Sequence, residues 1–471
     1  MPRVMWFRSD LRVGDNRALS RACNASDDGV VAVFVITPEQ WREHDWGSPK
    51  VGFVLRSLAD LKDRLATLNV PLRVLEVPRF DGVPSALTSL AKEVGAEHVH
   101  WNREYEVNEI ARDEAVVEAL EKAGVGSHEA HDLCIGPAHE IRTKTGGFYT
   151  VYSPFRRAWE ARFEEDGGYA PEPNPKKQAG LKIASDDVPT EVDGFPLAEI
   201  DWDLWPAGEG AARKRLSAFL RHRGDAYKAE RDTPSIDATS TLSPYLAAGV
   251  ISARVCFHEA YEANNHELDG GSKGLVHWMR ELLWREFYKH VLIGFPRVCR
   301  NQPFRADTRG IPWRDDEEAY DAWREGRTGF PIVDAAMRQL DQTGWMHNRL
   351  RMIVAMFLSK DLLLDWRLGE RHFMNKLVDA DFANNNGGWQ WSSSTGTDAA
   401  PYFRIYNPTT QSERHDEDGA FLRRYLPELA ELDDKAIHEP SELDRERLGY
   451  PQAIVDHKSA RERALAVFKA D

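Results

Sequence analysis

The sequence is short of cysteine, has no long apolar run and carries no surplus of positive charge. Its four cysteines, Cys23, Cys134, Cys256 and Cys299, lie far apart in 471 residues and form no Cys-x-x-Cys pair. That spacing supports neither a disulfide framework nor a zinc site, and it points to reduced thiols in a cytoplasmic protein. No apolar run approaches the roughly 20 residues that cross a bilayer, so no membrane association is expected. The start, Met1-Pro2-Arg3-Val4-Met5-Trp6-Phe7-Arg8, meets charge too early for a signal peptide and reads as a first strand. Acidic residues number 76 against 61 Lys and Arg, a formal net charge of -15. Such a chain repels a DNA duplex at long range, so any nucleic-acid site has to be a local basic surface.

A glycine-rich dinucleotide fingerprint is missing as well: Phe7-Arg8-Ser9-Asp10-Leu11-Arg12 stands where it would follow the first strand. What the first third does have is alternation. Short apolar runs at Val4–Phe7, Val30–Ile36, Leu72–Val77, Glu97–Trp101 and Ser127–Leu133 predict strands. Between them, Val54, Leu55, Leu58, Leu61, Leu65 and Leu68 recur at helical spacing, and Ala86–Val94 and Ile110–Ala123 also read as helices. This pattern predicts a doubly wound parallel sheet with helices on both faces. Periodicity fades from Phe163 to Asp203, where Glu-Glu-Asp-Gly-Gly and Pro-Glu-Pro-Asn-Pro mark a linker. Beyond Asp203 the chain is helical and rich in tryptophan. The expected organisation is an α/β domain at 1–135, a linker at 136–203 and a large all-helical domain at 204–471.

Four segments carry residues suited to ligand chemistry. Thr239-Ser240-Thr241-Leu242-Ser243-Pro244 puts four hydroxyls within five residues, and Ser243 before Pro244 has the form of a helix N-cap. Free N–H groups there suit a phosphate, although most such segments only cap helices. In Trp278–His290, Glu281, Trp284, Arg285 and Tyr288 share one helical face. That face offers a carboxylate, a stacking plane and a cation; its plainer reading is an amphipathic helix with solvated charges. In Gly344–Met352, Asn348 and Met352 lie one turn apart and Arg349 and Arg351 add charge. His347 alone reads as a packed or hydrogen-bonded histidine, and Ile353–Leu358 as ordinary core helix. In Asp379–Trp391, three asparagines and two glycines read as a break in a helical region. Its backbone and amides need partners, most economically a ligand. Asp379 and Asp381 lack a third ligand, so no metal is expected. Packing is the default role of any one of the fifteen tryptophans.

Together and in this order, the segments resemble the class I cyclobutane pyrimidine dimer photolyases of bacterial folate type, within the photolyase–cryptochrome family. The resemblance runs from Trp6–Arg12 to Tyr450–His457 and is strongest at Trp284–His290, Thr328–Arg351 and Asn386–Gln411. It implies light-driven repair: excited reduced FAD gives an electron to a flipped-out dimer, the ring opens and the electron returns. It further implies that Tyr227, Thr239, Ser240, Thr241, Leu242 and Ser243 hold the FAD phosphates and ribitol, with Thr241 where close relatives usually carry arginine. Trp278, Asp379, Ala380 and Asp381 would line the cofactor, with Arg351 pairing to Asp379. Asn385 would face flavin N5, where an amide supplies no proton and so suits the fully reduced anionic flavin.

The same resemblance implies that Trp284 stacks on the dimer, Glu281 bonds its polar edge, and Asn348 and Met352 complete the pocket. Arg231, Arg285, Arg349, Trp391 and Gln411 would meet the DNA. Trp389, Trp366 and Trp313 match a photoreduction chain running from the flavin to the surface. Asn108 and Glu109 imply a methenyltetrahydrofolate antenna, with Arg300 where a lysine is usual. The implied partner is DNA containing the dimer, and the protein is expected to be a monomer without metal. A (6-4) photolyase needs histidines where Asn348 and Met352 stand. A cryptochrome photoreceptor fits poorly with Glu281, Trp284, Asn385 and the lack of a long C-terminal tail.

Overall fold

In the computed structural model, which describes residues 1–469, the first third builds a five-stranded parallel sheet in the order β3-β2-β1-β4-β5. The strands are β1 Arg3–Phe7, β2 Val30–Ile36, β3 Leu72–Glu76, β4 His98–Asn102 and β5 Gly126–Ala130. Every residue of β2 is buried, as a strand covered on both faces requires. Val4, Trp6, Val33, Val35, Val99 and Trp101 form one core with Val83, Leu87, Leu90, Val116 and Leu120 from the helices Val83–Val94 and Val107–Lys122. Strand order reverses between β1 and β4, which makes the carboxyl edge there a natural ligand position. The doubly wound sheet and the all-helical remainder are as the sequence predicts.

From Tyr152 onward the described residues form helices, with only isolated bridges. Residues 166–201 hold neither helix nor strand, in keeping with a linker composition. Compactness groups the chain into two units. Among the described residues, the first is Met1–Ala198, Trp205–Asp225 and Ser240–Cys299; the second is Glu199–Leu204, Ala226–Thr239 and residues 300–469. Two early helical stretches therefore cluster with the sheet.

Within the first unit a buried charge network ties these parts together. Arg254 donates from Nη2 to Asp15 Oδ1 at 2.6 Å and to Asp132 Oδ1 at 2.7 Å. Arg12 pairs with Asp132 and donates to the carbonyls of Asp15 and Gly249. All four side chains are buried, so two cations offset two carboxylates out of water. Gly249 has φ +66, and a Cβ there would meet the Ser9 carbonyl oxygen at 2.0 Å. Only glycine lets the 248–249 backbone lie this close to the end of β1. Arg254→Met should leave Asp15 and Asp132 short of a partner and cost about 3–5 kcal/mol of unfolding free energy. Urea denaturation measures it, and a loss within experimental scatter would contradict the network's role.

Candidate active site

In the first unit, the helix Lys273–Gly294 starts at Ser272, whose side chain accepts the Leu275 N–H. It carries Glu281, Trp284, Arg285 and Tyr288 on one face, as their spacing predicts. Trp284 is half-buried and stacks on Tyr152, with ring centroids 3.8 Å apart and planes 7° from parallel. One indole face is thus covered, and a flat ligand can use only the opposite one. Tyr152 is itself fixed by donating its hydroxyl to the Arg280 carbonyl at 2.9 Å. Sequence reasoning missed it because it falls in the segment assigned to the linker. The signal was present: Tyr152, Phe155, Trp159 and Phe163 recur at helical spacing, and all four are buried on the helix Tyr152–Glu165.

Glu281 lies 3.5 Å from His277, and Arg285 donates to the Leu133 carbonyl at 2.7 Å. Trp278 is buried against Phe219. The hydroxyl segment departs from expectation. Ser243 is the first residue of a five-residue helix, with Leu242 in the cap position and no side-chain cap. Pro244 occupies the first turn, where its missing N–H leaves no helical hydrogen bond unmade. Thr241 takes φ +47, unusual for a β-branched residue, and its hydroxyl accepts from the Arg215 guanidinium.

Also in this unit, His44 joins Asn108 at 2.9 Å and Glu109 at 3.3 Å, a partner that sequence reasoning did not name. Glu109 borders a cavity of about 580 Å³, open mouth included, lined by Trp6, Phe34, Trp41 and Arg112. Arg8 and Arg112 lie over the Trp6 ring at 4.2 and 4.7 Å. Burial works against ionising Glu104 beside them, but the two guanidiniums outweigh it and hold this carboxyl down at about 2.

In the second unit, the helix Asn348–Met356 is capped by His347, whose Nδ1 accepts the Arg349 N–H at 3.2 Å. Asn348 is exposed and Met352 half-buried. Arg349 sits 3.9 Å from the Met352 sulfur and pairs with Asp232 at 2.7 Å. Beside it, Arg231 lies over the Tyr227 ring at 5.3 Å. Gln411 belongs to the helix Pro408–His415, whose His415 lies near Arg349 and Asp232. The chain expected to continue as ordinary helix through Leu358 instead enters a π turn at Phe357–Asp361, which buries Lys360 and Asp361.

Arg351 donates to Asp379 Oδ2 at 2.8 Å, leaving the buried Asp379 Oδ1 without a protein donor. Asn384–Gly388 correct a second expectation: they do not break a helix but lie inside one, Phe382–Ser392. Asp381 caps it by accepting the Asn384 N–H at 3.0 Å. Asn385 donates its amide to the Glu370 carbonyl at 2.9 Å, and Asn386 donates to the Glu370 carboxylate at 2.7 Å. Protein partners, Glu370 above all, supply what the sequence suggested a ligand would supply. Trp389 and Trp366 are buried, while Trp313 and Trp391 are partly exposed.

Residues 278–470 match the family model described as the FAD binding domain of DNA photolyase, and residues 3–176 match that described as DNA photolyase. The deoxyribodipyrimidine photo-lyase of Salmonella typhimurium is 43% identical over 470 residues, covering 99% of this chain and 98% of that protein. That of Halobacterium salinarum is 41% identical over 483 residues, covering 99% and 98%. Among solved structures, a class III photolyase from Agrobacterium tumefaciens aligns with TM-score 0.90 at 37% identity, covering 100% of this chain and 97% of that one. An archaeal photolyase from Sulfolobus tokodaii, solved with two FAD molecules, aligns with TM-score 0.82 at 29% identity over 100% of both chains.

His347 yields a pH prediction. Burial pushes its imidazole down to about 4, from an ordinary 6.5. A depressed pKa means that the neutral, capping ring contributes fully above about pH 6.5 and loses that contribution as the pH falls towards 4. Relative to His347→Asn, a cap that does not titrate, the wild type should lose roughly 2 kcal/mol of stability between about pH 7 and about pH 5. Parallel declines in urea denaturation would contradict the assignment.

Proposed function

The chain belongs to the DNA photolyase family, and we propose that Glu281, Trp284, Asn348 and Met352 are the side chains with which it receives a cyclobutane pyrimidine dimer. Its activity is that of a deoxyribodipyrimidine photo-lyase, an FAD-dependent carbon–carbon lyase of DNA repair driven by light. The observation that carries the residue assignment is the Tyr152–Trp284 stack, which presents one rigid aromatic face on a helix that also holds Glu281. A dimer stacks poorly in the duplex, so extruding it costs less than the few kcal/mol that an intact base demands. Trp284 would replace the lost stacking, and Glu281 would accept hydrogen bonds from the polar edge of the dimer. Asn348 and Met352, amide and thioether in place of histidines, favour the cyclobutane dimer over the (6-4) lesion.

The residues fit FAD. The unpartnered, buried Asp379 Oδ1 calls for an N–H or O–H donor, which a flavin or its ribityl chain has. Arg351 would hold Asp379 in place for that contact, and Tyr227, Thr239, Ser240, Leu242, Ser243, Trp278, Ala380, Asp381 and Asn385 would complete the cofactor's surroundings. Thr241 lacks the charge its relatives carry, and Arg215, bonded to the Thr241 hydroxyl, would restore a guanidinium for the phosphates. Bound and excited in its reduced form, FAD supplies the electron that opens the dimer and takes it back, with no net redox change. Asn385 is oriented by Glu370 and offers no acidic proton. Arg231, Arg285 and Arg349, with Trp391 and Gln411, would meet the DNA and form the local basic surface that the acidic chain requires. Trp389, Trp366 and Trp313 would return electrons to oxidised cofactor and take no part in repair.

Asn108 and Glu109, joined by His44, would hold the methenyltetrahydrofolate antenna. Functional modules at 1–135 and 204–471 joined by a linker at 136–203 remain the proposed division, although the first family segment, 3–176, runs on into the linker. The reading extends to a monomer that works in the cytoplasm without a metal. Trp284→Ala should weaken binding of a dimer-containing oligonucleotide by about 1–3 kcal/mol, the worth of one stacked base, while barely changing binding of undamaged DNA. Tyr152→Leu should move the same difference in the same direction. Equal losses on both DNAs in titration calorimetry would contradict the stacking role.

A further inference from the structure

We propose that Trp323 and Tyr320 form a second exit for the oxidising equivalent that leaves Trp389, ending on a tyrosine instead of on Trp313. The proposal rests on Trp389 standing next to the flavin. Trp323, on the helix Glu317–Arg324, is fully buried, with its ring centroid 6.0 Å from that of Trp389 in an edge-on contact. One helical turn earlier, Tyr320 lies 6.0 Å from Trp323 with planes 20° from parallel. The three oxidisable rings form an unbroken contact series, and Phe373 packs at its corner, 5.0 Å from Trp389 and 6.4 Å from Trp323.

The surroundings give the series a direction. Trp323 Nε1–H donates to the Val354 carbonyl at 3.1 Å, a partner too weak in basicity to take the indole proton. An oxidised Trp323 therefore keeps its proton and stays a strong oxidant. His372, 5.4 Å away, is neutral because burial pushes its imidazole down to about 4, so it places no charge against the hole. Tyr320 differs. It is partly exposed and its hydroxyl donates to the Leu368 carbonyl at 3.3 Å. Burial raises the resting phenol above its ordinary pKa, with Arg324 and Arg371 opposing, but a phenol that has lost an electron is a far stronger acid. Water can take that proton, which traps the hole.

The electrons balance. Photoexcited oxidised flavin takes one electron from Trp389, Trp389 takes one from Trp323, and Trp323 takes one from Tyr320. The Tyr320 phenolic proton goes to water, leaving a neutral tyrosyl radical that an external thiol re-reduces by giving back one electron and one proton. None of this touches repair by flavin that is already reduced.

The test uses full-length protein carrying oxidised FAD, with radicals followed by transient absorption and electron paramagnetic resonance after a light flash. Trp366→Phe closes the route to Trp313. In that variant a long-lived tyrosyl radical should persist, and adding Tyr320→Phe, a change at a partly exposed ring that should fold normally, should abolish it. Trp323→Phe should abolish it as well. A tyrosyl signal unaffected by Tyr320→Phe, or no tyrosyl signal in Trp366→Phe, would overturn the branch while leaving Trp389 in place. Radicals that survive Trp389→Phe would overturn both the branch and the placement of Trp389.

Discussion

Asp15, Asp132, Arg12 and Arg254 meet out of water, and the first unit is organised around that meeting. Asp15 and Arg12 follow β1, Asp132 follows β5, and Arg254 opens the helix Ala253–Ala263. None of the four tolerates burial alone, because the desolvation of each is offset chiefly by the opposite charges of the others. The network thereby fixes the carboxyl edge of the sheet and holds Gly249 against Ser9. The hydroxyl segment from Ser240 to Ser243 enters this region through the short helix Ser243–Ala247. A parallel sheet presents its ligand side at just this edge.

The same logic of paired charge explains how an acidic chain handles DNA. A net charge of -15 gives no long-range attraction to phosphate. Arg349 pairs with Asp232, whose ionisation burial opposes and the Arg349 contact secures, and Arg231 lies beside the same carboxylate. On the proposed assignment, selectivity for damage would rest on stacking and on the lower cost of extruding a poorly stacked dimer, not on total charge.

Much of the fold was legible because parallel strands buried on both faces leave continuous apolar runs, and Val30–Ile36 is recovered residue for residue. The face of Glu281, Trp284 and Arg285 was legible because helical spacing alone sets it. What stayed hidden depends on distant pairing. Tyr152 beneath Trp284 and Arg254 beneath Asp15 come from elements far apart in the chain, and Glu370 beneath Asn385 and Asn386 from the preceding helix, whose packing no local periodicity reveals. Asn384–Gly388 misled because low helix propensity suggested a break, whereas the Asp381 cap and the Glu370 contacts hold the segment helical. Reaction and cofactor were legible only through resemblance, since no single motif specifies a flavin that works by light.

Light-dependent recovery of thymine absorbance, with reduced protein and an oligonucleotide carrying one thymine dimer under near-UV or blue light, tests the central claim most directly. Recovery is predicted in the light and not in the dark, and it should survive Trp313→Phe once the flavin has been reduced chemically. No recovery from protein with reduced FAD bound and absorbing would contradict the account.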